Sequence, residues 1–283
     1  MTDLYIAGAI ITLLSALLFL LGRKVGKTAS PRLFNLIAVA TVALLWLYVK
    51  EFQETWLLSR MLPFSSVILL GAWHPLFGGF LSGMTWQRFV ETRWRKYVCV
   101  LPLVAISAYA PVRNLWGDVP WTKNYWVNGV CLQTSASSCS AAAAATMLAH
   151  YGINATETEL SKLCLTRSGK GTTWFGLYRG LKLKTAGTDW DVEIVKWSPT
   201  QLINKPPGPV ILSVRLDDRP GIDPRYQLQW GWTPGLQHAV VLFECMIDGR
   251  IDMGDPSVGR EIWTVPVLDD LWHGDAMRLV TRK

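Results

Sequence analysis

Long apolar runs fill the first third of the chain, and short alternating ones fill the rest. Leu4 to Leu21 carries no charge, Leu33 to Val49 follows after a basic turn, and further runs cover Met61 to Met84 and Tyr97 to Val112. A bilayer core takes roughly 20 apolar residues in a helix, so the pattern predicts four membrane spans, about 4–21, 33–49, 61–84 and 97–112. Pro63, Pro75 and several glycines predict that the third is kinked or partly re-entrant. The fourth is the shortest and contains Pro102 and Pro111; three spans is the alternative. The first run has no basic residues ahead of it and no small-residue cleavage site, so it reads as a retained helix and not as a signal peptide.

Beyond about Arg113 the texture is globular. Ser138 to Tyr151 predicts a helix with an alanine-rich body and Gly152 as its stop. Thr156 to Leu165 predicts a second, opened at capping-box spacing by Thr156 and Glu159, and Thr172 to Leu183 a third. Pro209 to Leu216 and His238 to Ile247 are rich in β-branched residues, as strands require. Arg250 to Met253 and Glu261 to Val267 continue that pattern. Helices followed by strands predict an α+β domain with an antiparallel sheet, preceded by a bundle of about four transmembrane helices. The expected organisation is a membrane region at 1–112, an interfacial linker at 113–128 and a folded domain at 129–283. Trp116, Trp121, Tyr125 and Trp126 suit either an interfacial belt or a core.

Charge adds an orientation. Only 17% of residues are charged and the net charge is +7, but its position argues against nucleic acid. Arg23, Lys24, Lys27 and Arg32 form one cluster between apolar runs, and Arg88, Arg93, Arg95 and Lys96 form another. Basic loops of this kind face the cytoplasm. With four spans the C-terminal domain then lies outside the cytoplasm; with three it stays inside. No aromatic-basic stripe for single-stranded nucleic acid is present. The five cysteines, Cys99, Cys131, Cys139, Cys164 and Cys245, show no CxxC spacing, and the four histidines stand far apart, so neither a metal nor another cofactor is expected.

Cys139 stands at the start of a predicted helix, where the dipole and free N–H groups favour a thiolate. By itself it reads as a small buried hydrophobe. His238 opens one predicted strand and Asp255 follows on the next. Adjacent antiparallel strands would set imidazole and carboxylate side by side, the carboxylate orienting the ring. The imidazole would then exchange protons with the thiol and with a leaving amine. Gln133, just ahead of the helix, would donate to a developing oxyanion beside the Cys139 N–H.

The order Gln133, Cys139, His238, Asp255 resembles the C39 peptidases, papain-like enzymes best known as the leader-peptide-cleaving domains of bacteriocin exporters. The resemblance covers Gly129 to the C-terminus. It rests on Gln133-x5-Cys139, the helix ending His150-Tyr151-Gly152, the strand His238-Ala-Val-Val-Leu, Asp255-Pro256 with a following glycine, and Leu271-Trp272-His273-Gly274 before a last strand. It implies a papain-like cysteine peptidase domain with Cys139 as nucleophile, His238 as general base, Asp255 as third member and Gln133 as oxyanion donor. It also implies a peptide or protein substrate, while the apolar spans and basic loops place the chain in a membrane, expected to be a bacterial inner membrane.

The chain departs from that family at Ser138 and Ser140, where an acidic residue and a glycine usually flank the cysteine, and at Gln237, often glycine. No P-loop sequence occurs. The competing readings are a degenerate binding or assembly subunit of a membrane complex on the same scaffold, and acyl transfer to an amine. His150 and His273 read as structural, and His74 as either functional or bundle packing. Cys131 is a candidate for a disulfide with Cys164 or Cys245, and a bridge to Cys139 would block the nucleophile. Trp174, Phe175, Trp230 and Trp232 are candidates for an apolar groove or for core.

Overall fold

The computed structural model describes residues 1–88, 93–204, 208–217, 223–246 and 248–282. The chain forms two compact units, Met1–Trp116 and Gly117–Lys283. The first is helical: α1 (Thr2–Thr28), α2 (Pro31–Leu47), α3 (Trp56–Met61), α4 (Val67–Leu70), α5 (His74–Arg88) and α6 (Arg93–Val112). Ser30 caps α2 and Pro31 opens it, the position at which a missing N–H costs nothing. One π-turn, Tyr48–Phe52, prolongs that helix. Among the described residues four stretches are long and apolar enough to cross a membrane: Thr2–Thr28, Pro31–Phe52, Val67–Arg88 and Trp94–Val112. The expected run Met61 to Met84 is broken rather than bent. α3 ends at Met61 before Pro63, α4 stops at Gly71, and α5 restarts with His74 and Pro75.

Glycines set the packing of α1 on α5. A Cβ on Gly22 would overlap the Phe80 carbonyl, and one on Gly83 would overlap that of Phe19. Gly26 and Gly79, one turn away, face the same crossing. Small residues four apart on both helices let the backbones touch, which is how helices associate where lipid removes the hydrophobic driving force.

The second unit begins with a hairpin of β1 (Tyr125–Val127) and β2 (Val130–Leu132). Asn128 and Gly129 join the strands, both at positive φ, as a two-residue hairpin turn demands. β1 lies within the stretch expected as linker. The helices α7 (Cys139–His150), α8 (Glu157–Leu163) and α9 (Trp174–Lys184) follow, then β3 (Trp190–Lys196), α10 (Pro199–Ile203), β4 (Val210–Arg215), α11 (Arg225–Leu228), β5 (Gln237–Cys245), β6 (Arg250–Asp255), β7 (Gly259–Thr264), α12 (Val265–Leu271) and β8 (Trp272–Thr281). Among the described residues β3 to β8 make one antiparallel sheet in the order β3-β8-β4-β5-β6-β7.

Several expectations change in detail. The strand expected at Glu261 to Val267 ends at Thr264, because Val265 and Pro266 open α12. Thr156 caps α8 by accepting from the Glu159 N–H at 3.1 Å, yet the Glu159 carboxylate pairs with Lys184 at 3.0 Å instead of closing a capping box. Ile247, the expected end of one strand, lies outside the described residues. Strand β3 was not expected at all, since its charged positions hide the alternation of Val192 and Ile194, which are buried.

Both faces of the central strands are covered. Leu212, Val240, Leu242 and Met253 join Trp230, Trp232, Trp263, Leu268 and Trp272 in one core. Ile211, Val241 and Met277 alternate with that set and are fully buried too, while α7 packs against β5. The alanines Ala141–Ala145 are all at 0% exposure. Their small side chains keep the helix slim, so it fits inside the domain.

Replacing Gly83 by Leu is expected to lower the thermal stability of the detergent-solubilised protein, by about 1–3 kcal/mol for overpacking. Gly8→Leu, where an added Cβ meets nothing within 4 Å, is the control. Equal effects of the two would refute the close α1–α5 crossing.

Candidate active site

Cys139 is the first residue of α7, so its backbone N–H is among those a helix leaves without an internal partner. Ser138 precedes it but makes no side-chain cap. Its hydroxyl is turned into the loop, donating to the Ser135 carbonyl at 2.9 Å and accepting from the Ser135 N–H at 3.2 Å. The helix start is thus uncapped beside a half-buried thiol. Ser140, where a glycine was the expected family residue, is largely buried, with its hydroxyl 4.0 Å from the Cys139 sulfur.

β5 and β6 bring the other two groups in. His238 Nε2 lies 2.7 Å from Asp255 Oδ1, which leaves Nδ1 for the opposite side of the ring. The imidazole and the Cys139 thiol act on each other's protonation. Asp255 is fully buried and surrounded by donors: the Ser257 N–H reaches Oδ1 at 2.7 Å and the Trp232 indole N–H reaches Oδ2 at 3.2 Å. The Ser257 hydroxyl also lies 3.4 Å from His238 Nε2.

The electrostatics follow from that order. Burial works against a charged imidazole, but the charge and hydrogen bond of Asp255, with help from Cys139, push His238 up to about 10. Burial also opposes a thiolate at Cys139. The His238 hydrogen bond and charge outweigh it, aided by the Ala239 N–H and the Ser140 hydroxyl, and the thiol is lowered. Cys131 and Cys164 go the other way. Burial drives both thiols up to about 12, reinforced at Cys131 by Glu157. Among the described residues no disulfide joins Cys131 to Cys139, Cys164 or Cys245.

Gln133 follows β2, and its N–H donates to the Pro256 carbonyl at 2.8 Å, tying it to the residue after Asp255. Its side-chain Oε1 is buried without a hydrogen-bond partner among the described residues. The next residue is held from below. Glu157, fully buried, accepts from the Thr134 N–H and hydroxyl, each at 2.8 Å, and from the Asn124 N–H at 3.3 Å. In the sequence Glu157 looks only like a first-turn acid complementing a helix dipole.

The remaining candidates lie elsewhere. His150 ends α7 against Tyr151, and His273 is exposed 3.9 Å from Asp217. Phe175 is buried on α9 and Trp230 sits in the core. The Trp232 ring lies against the histidine, its centroid 4.6 Å from the imidazole. The Trp232 and Ser257 contacts had no signal in the sequence, because both come from loops.

Residues 128–216 match the sequence model of the Peptidase C39 family. The match includes Gln133 and Cys139 and stops before His238 and Asp255. Two similar solved structures are peptidase domains. One is that of Streptococcus ComA, a bi-functional ABC transporter involved in a quorum sensing pathway. It is 22% identical, spans 54% of this chain and 98% of that one, and has a TM-score of 0.43. The other is a double glycine motif protease from an AMS/PCAT transporter in complex with the leader peptide, at 16% identity, 58% and 97% coverage and a TM-score of 0.42. No match was found among curated proteins.

Glu157→Ala is expected to cost on the order of 3 kcal/mol in thermal or denaturant unfolding, because it strands buried donors at Thr134 and Asn124. Glu159→Ala removes only a partly exposed pair with Lys184 and is expected to cost under about 1 kcal/mol. If the two variants unfold alike, the buried carboxylate does not brace this loop.

Proposed function

We propose that this chain, which carries Peptidase C39 family sequence at residues 128–216, is a membrane-anchored cysteine peptidase. The carrying observation is the imidazole of His238 bonded to the buried Asp255 carboxylate and coupled by charge to the Cys139 thiol, with the thiol lowered and the imidazole raised. α7, β5 and β6 each supply one of the three groups.

In this reading the Cys139 thiolate attacks the carbonyl carbon of a peptide bond, and the electron pair moves onto the carbonyl oxygen. The Gln133 side-chain amide and the Cys139 N–H donate to that oxyanion. Collapse expels the amine, which takes its proton from imidazolium His238, and leaves a thioester on Cys139. His238, now neutral, draws a proton from water as the water attacks the thioester. The acid product departs and the thiolate–imidazolium pair is restored. Asp255 keeps Nε2 protonated throughout, so the proton exchanged is always the one on Nδ1. The donor for that oxyanion is the Gln133 Nε2 amide group, since its Oε1 can only accept.

The substrate class is a peptide or protein, cut at the bilayer that the apolar third occupies. With 1–112 as the membrane region and four spans, the basic clusters put the peptidase domain (129–283) outside the cytoplasm of a bacterial inner membrane. A C-terminal alkaline phosphatase fusion is then expected to be active; an inactive one, with a cytoplasmic reporter active instead, would reverse the orientation.

Iodoacetamide alkylation of the full chain in detergent, followed per cysteine by mass spectrometry, tests the nucleophile. A lowered thiol pKa gains thiolate as pH rises, so Cys139 is expected to be half-reactive below the ordinary thiol range of about 8.5. Its character changes again near 10, where the imidazolium is lost. His238→Ala removes the groups that outweigh burial, so half-reactivity is expected to move up past the ordinary value. A Cys139 no more reactive than Cys245 at pH 7 would sink the peptidase reading.

A further inference from the structure

Trp232 joins the candidate site to an aromatic cluster of Tyr226, Trp230 and Trp263. It belongs to no helix or strand, yet it is only 6% exposed. Its backbone N–H donates to the Tyr226 carbonyl at 2.9 Å, and its ring stacks on Tyr226 with centroids 5.6 Å apart and planes 27° from parallel. Trp230 and Trp263 close in at 5.7 and 6.2 Å. The indole also meets His238, with ring centroids 4.6 Å apart. The ring is therefore clamped, and its N–H is aimed at Asp255 Oδ2, 3.2 Å away.

An indole N–H only donates and never titrates. A buried tryptophan needs some acceptor for it, and any backbone carbonyl would satisfy that need. Here the acceptor is the carboxylate that holds the histidine. The two oxygens are divided as a result: Oδ1 serves His238 and Ser257, and Oδ2 serves Trp232. A carboxylate bonded on one oxygen can swing about its χ2; bonded on both, its plane is fixed.

We propose that Trp232 is a positioning residue for the peptidase reaction, fixing the plane of the Asp255 carboxylate through its N–H and shielding the His238–Asp255 hydrogen bond with its ring. The inference rests on the cysteine peptidase reading. Tyr226, Trp230 and Trp263 hold Trp232, Trp232 and Ser257 hold Asp255, Asp255 holds His238, and His238 faces the thiol. The charged groups around this chain of contacts are Cys139 on α7, Asp255 on β6, Glu261 on β7 and Arg225 at the start of α11, with the Tyr226 hydroxyl beside them. None of the substitutions below changes Glu261, Arg225 or Tyr226.

Trp232→Phe keeps most of the ring and removes the donor. The test is the pH profile of Cys139 alkylation by iodoacetamide in the full chain in detergent, with thermal unfolding beside it, for wild type, W232F, D255A and the double variant. A hydrogen bond to a buried charge carries a factor of about ten or more, so W232F is expected to slow Cys139 alkylation at pH 7 about tenfold and to raise its half-reactive pH. In the D255A background W232F is expected to slow it no further, because residues acting through one another are not additive. Trp232→Tyr, bulky but with its donor displaced, is expected to behave as W232F does, and it serves if the phenylalanine variant does not fold. A reactive wild-type Cys139 with an unchanged W232F profile, or a W232F effect that adds in full to D255A, overturns the positioning role and leaves the peptidase reading standing. An inert wild-type Cys139 takes down both.

Discussion

A carboxylate shut away from water must be compensated on all sides or it will not stay charged. Asp255 is in that position, at the end of β6 with no exposure. Its compensation comes from three directions at once: the imidazole of β5, an indole from the loop before β5, and the backbone of the turn that leads to β7. The same turn accepts the Gln133 N–H through Pro256. One buried charge therefore fixes the relation of the histidine strand, the aromatic cluster and the loop ahead of α7. The opposite pKa directions of Cys139 and of Cys131 and Cys164 follow from whether the buried sulfur faces this system or only apolar surroundings and charges of the fold.

The sheet and α7 supply the rigidity that such a network requires. β4 and β5 are buried on both faces, which is why they read as nearly unbroken apolar runs rather than as alternating ones. The helix that begins with Cys139 packs against β5, and its alanines Ala141–Ala145 have no solvent exposure. Glycine or a β-branched residue in that run would loosen the helix through propensity, and a larger residue would push it off the strand. The distance between thiol and imidazole is therefore governed by core packing well away from either. A second buried carboxylate, Glu157, does for the loop after β2 what Asp255 does for the histidine, gathering backbone donors around it.

The helical unit works by a different balance. Apolar side chains on α2 and α6 such as Leu36, Trp46, Leu101 and Ile106 are exposed, as suits helices long enough to cross a bilayer. With apolar surface on every side, hydrophobicity does not choose which helices touch. Shape does, and Gly22, Gly26, Gly79 and Gly83 give α1 and α5 the shape.

The sequence by itself determined the four apolar stretches, the antiparallel α+β character of the second unit and the chain order of Cys139, His238 and Asp255. Those features are written in periodicity, in helix and strand termini and in motif order, all of them local. It did not determine where Trp232, Ser257 and Glu157 would point. The Trp232 indole, the Ser257 hydroxyl and the Glu157 carboxylate act on residues 23, 19 and 23 positions away in the chain, and those meetings are set only once the sheet and the aromatic core have formed. Strand β3 escaped for a related reason, its buried alternation being masked by the acids that pair across the sheet, as Glu193 does with Arg278. The glycines of α1 and α5 were legible only as glycines. That they mark a crossing was decided by the tertiary structure, because a missing Cβ matters only when another backbone occupies its place.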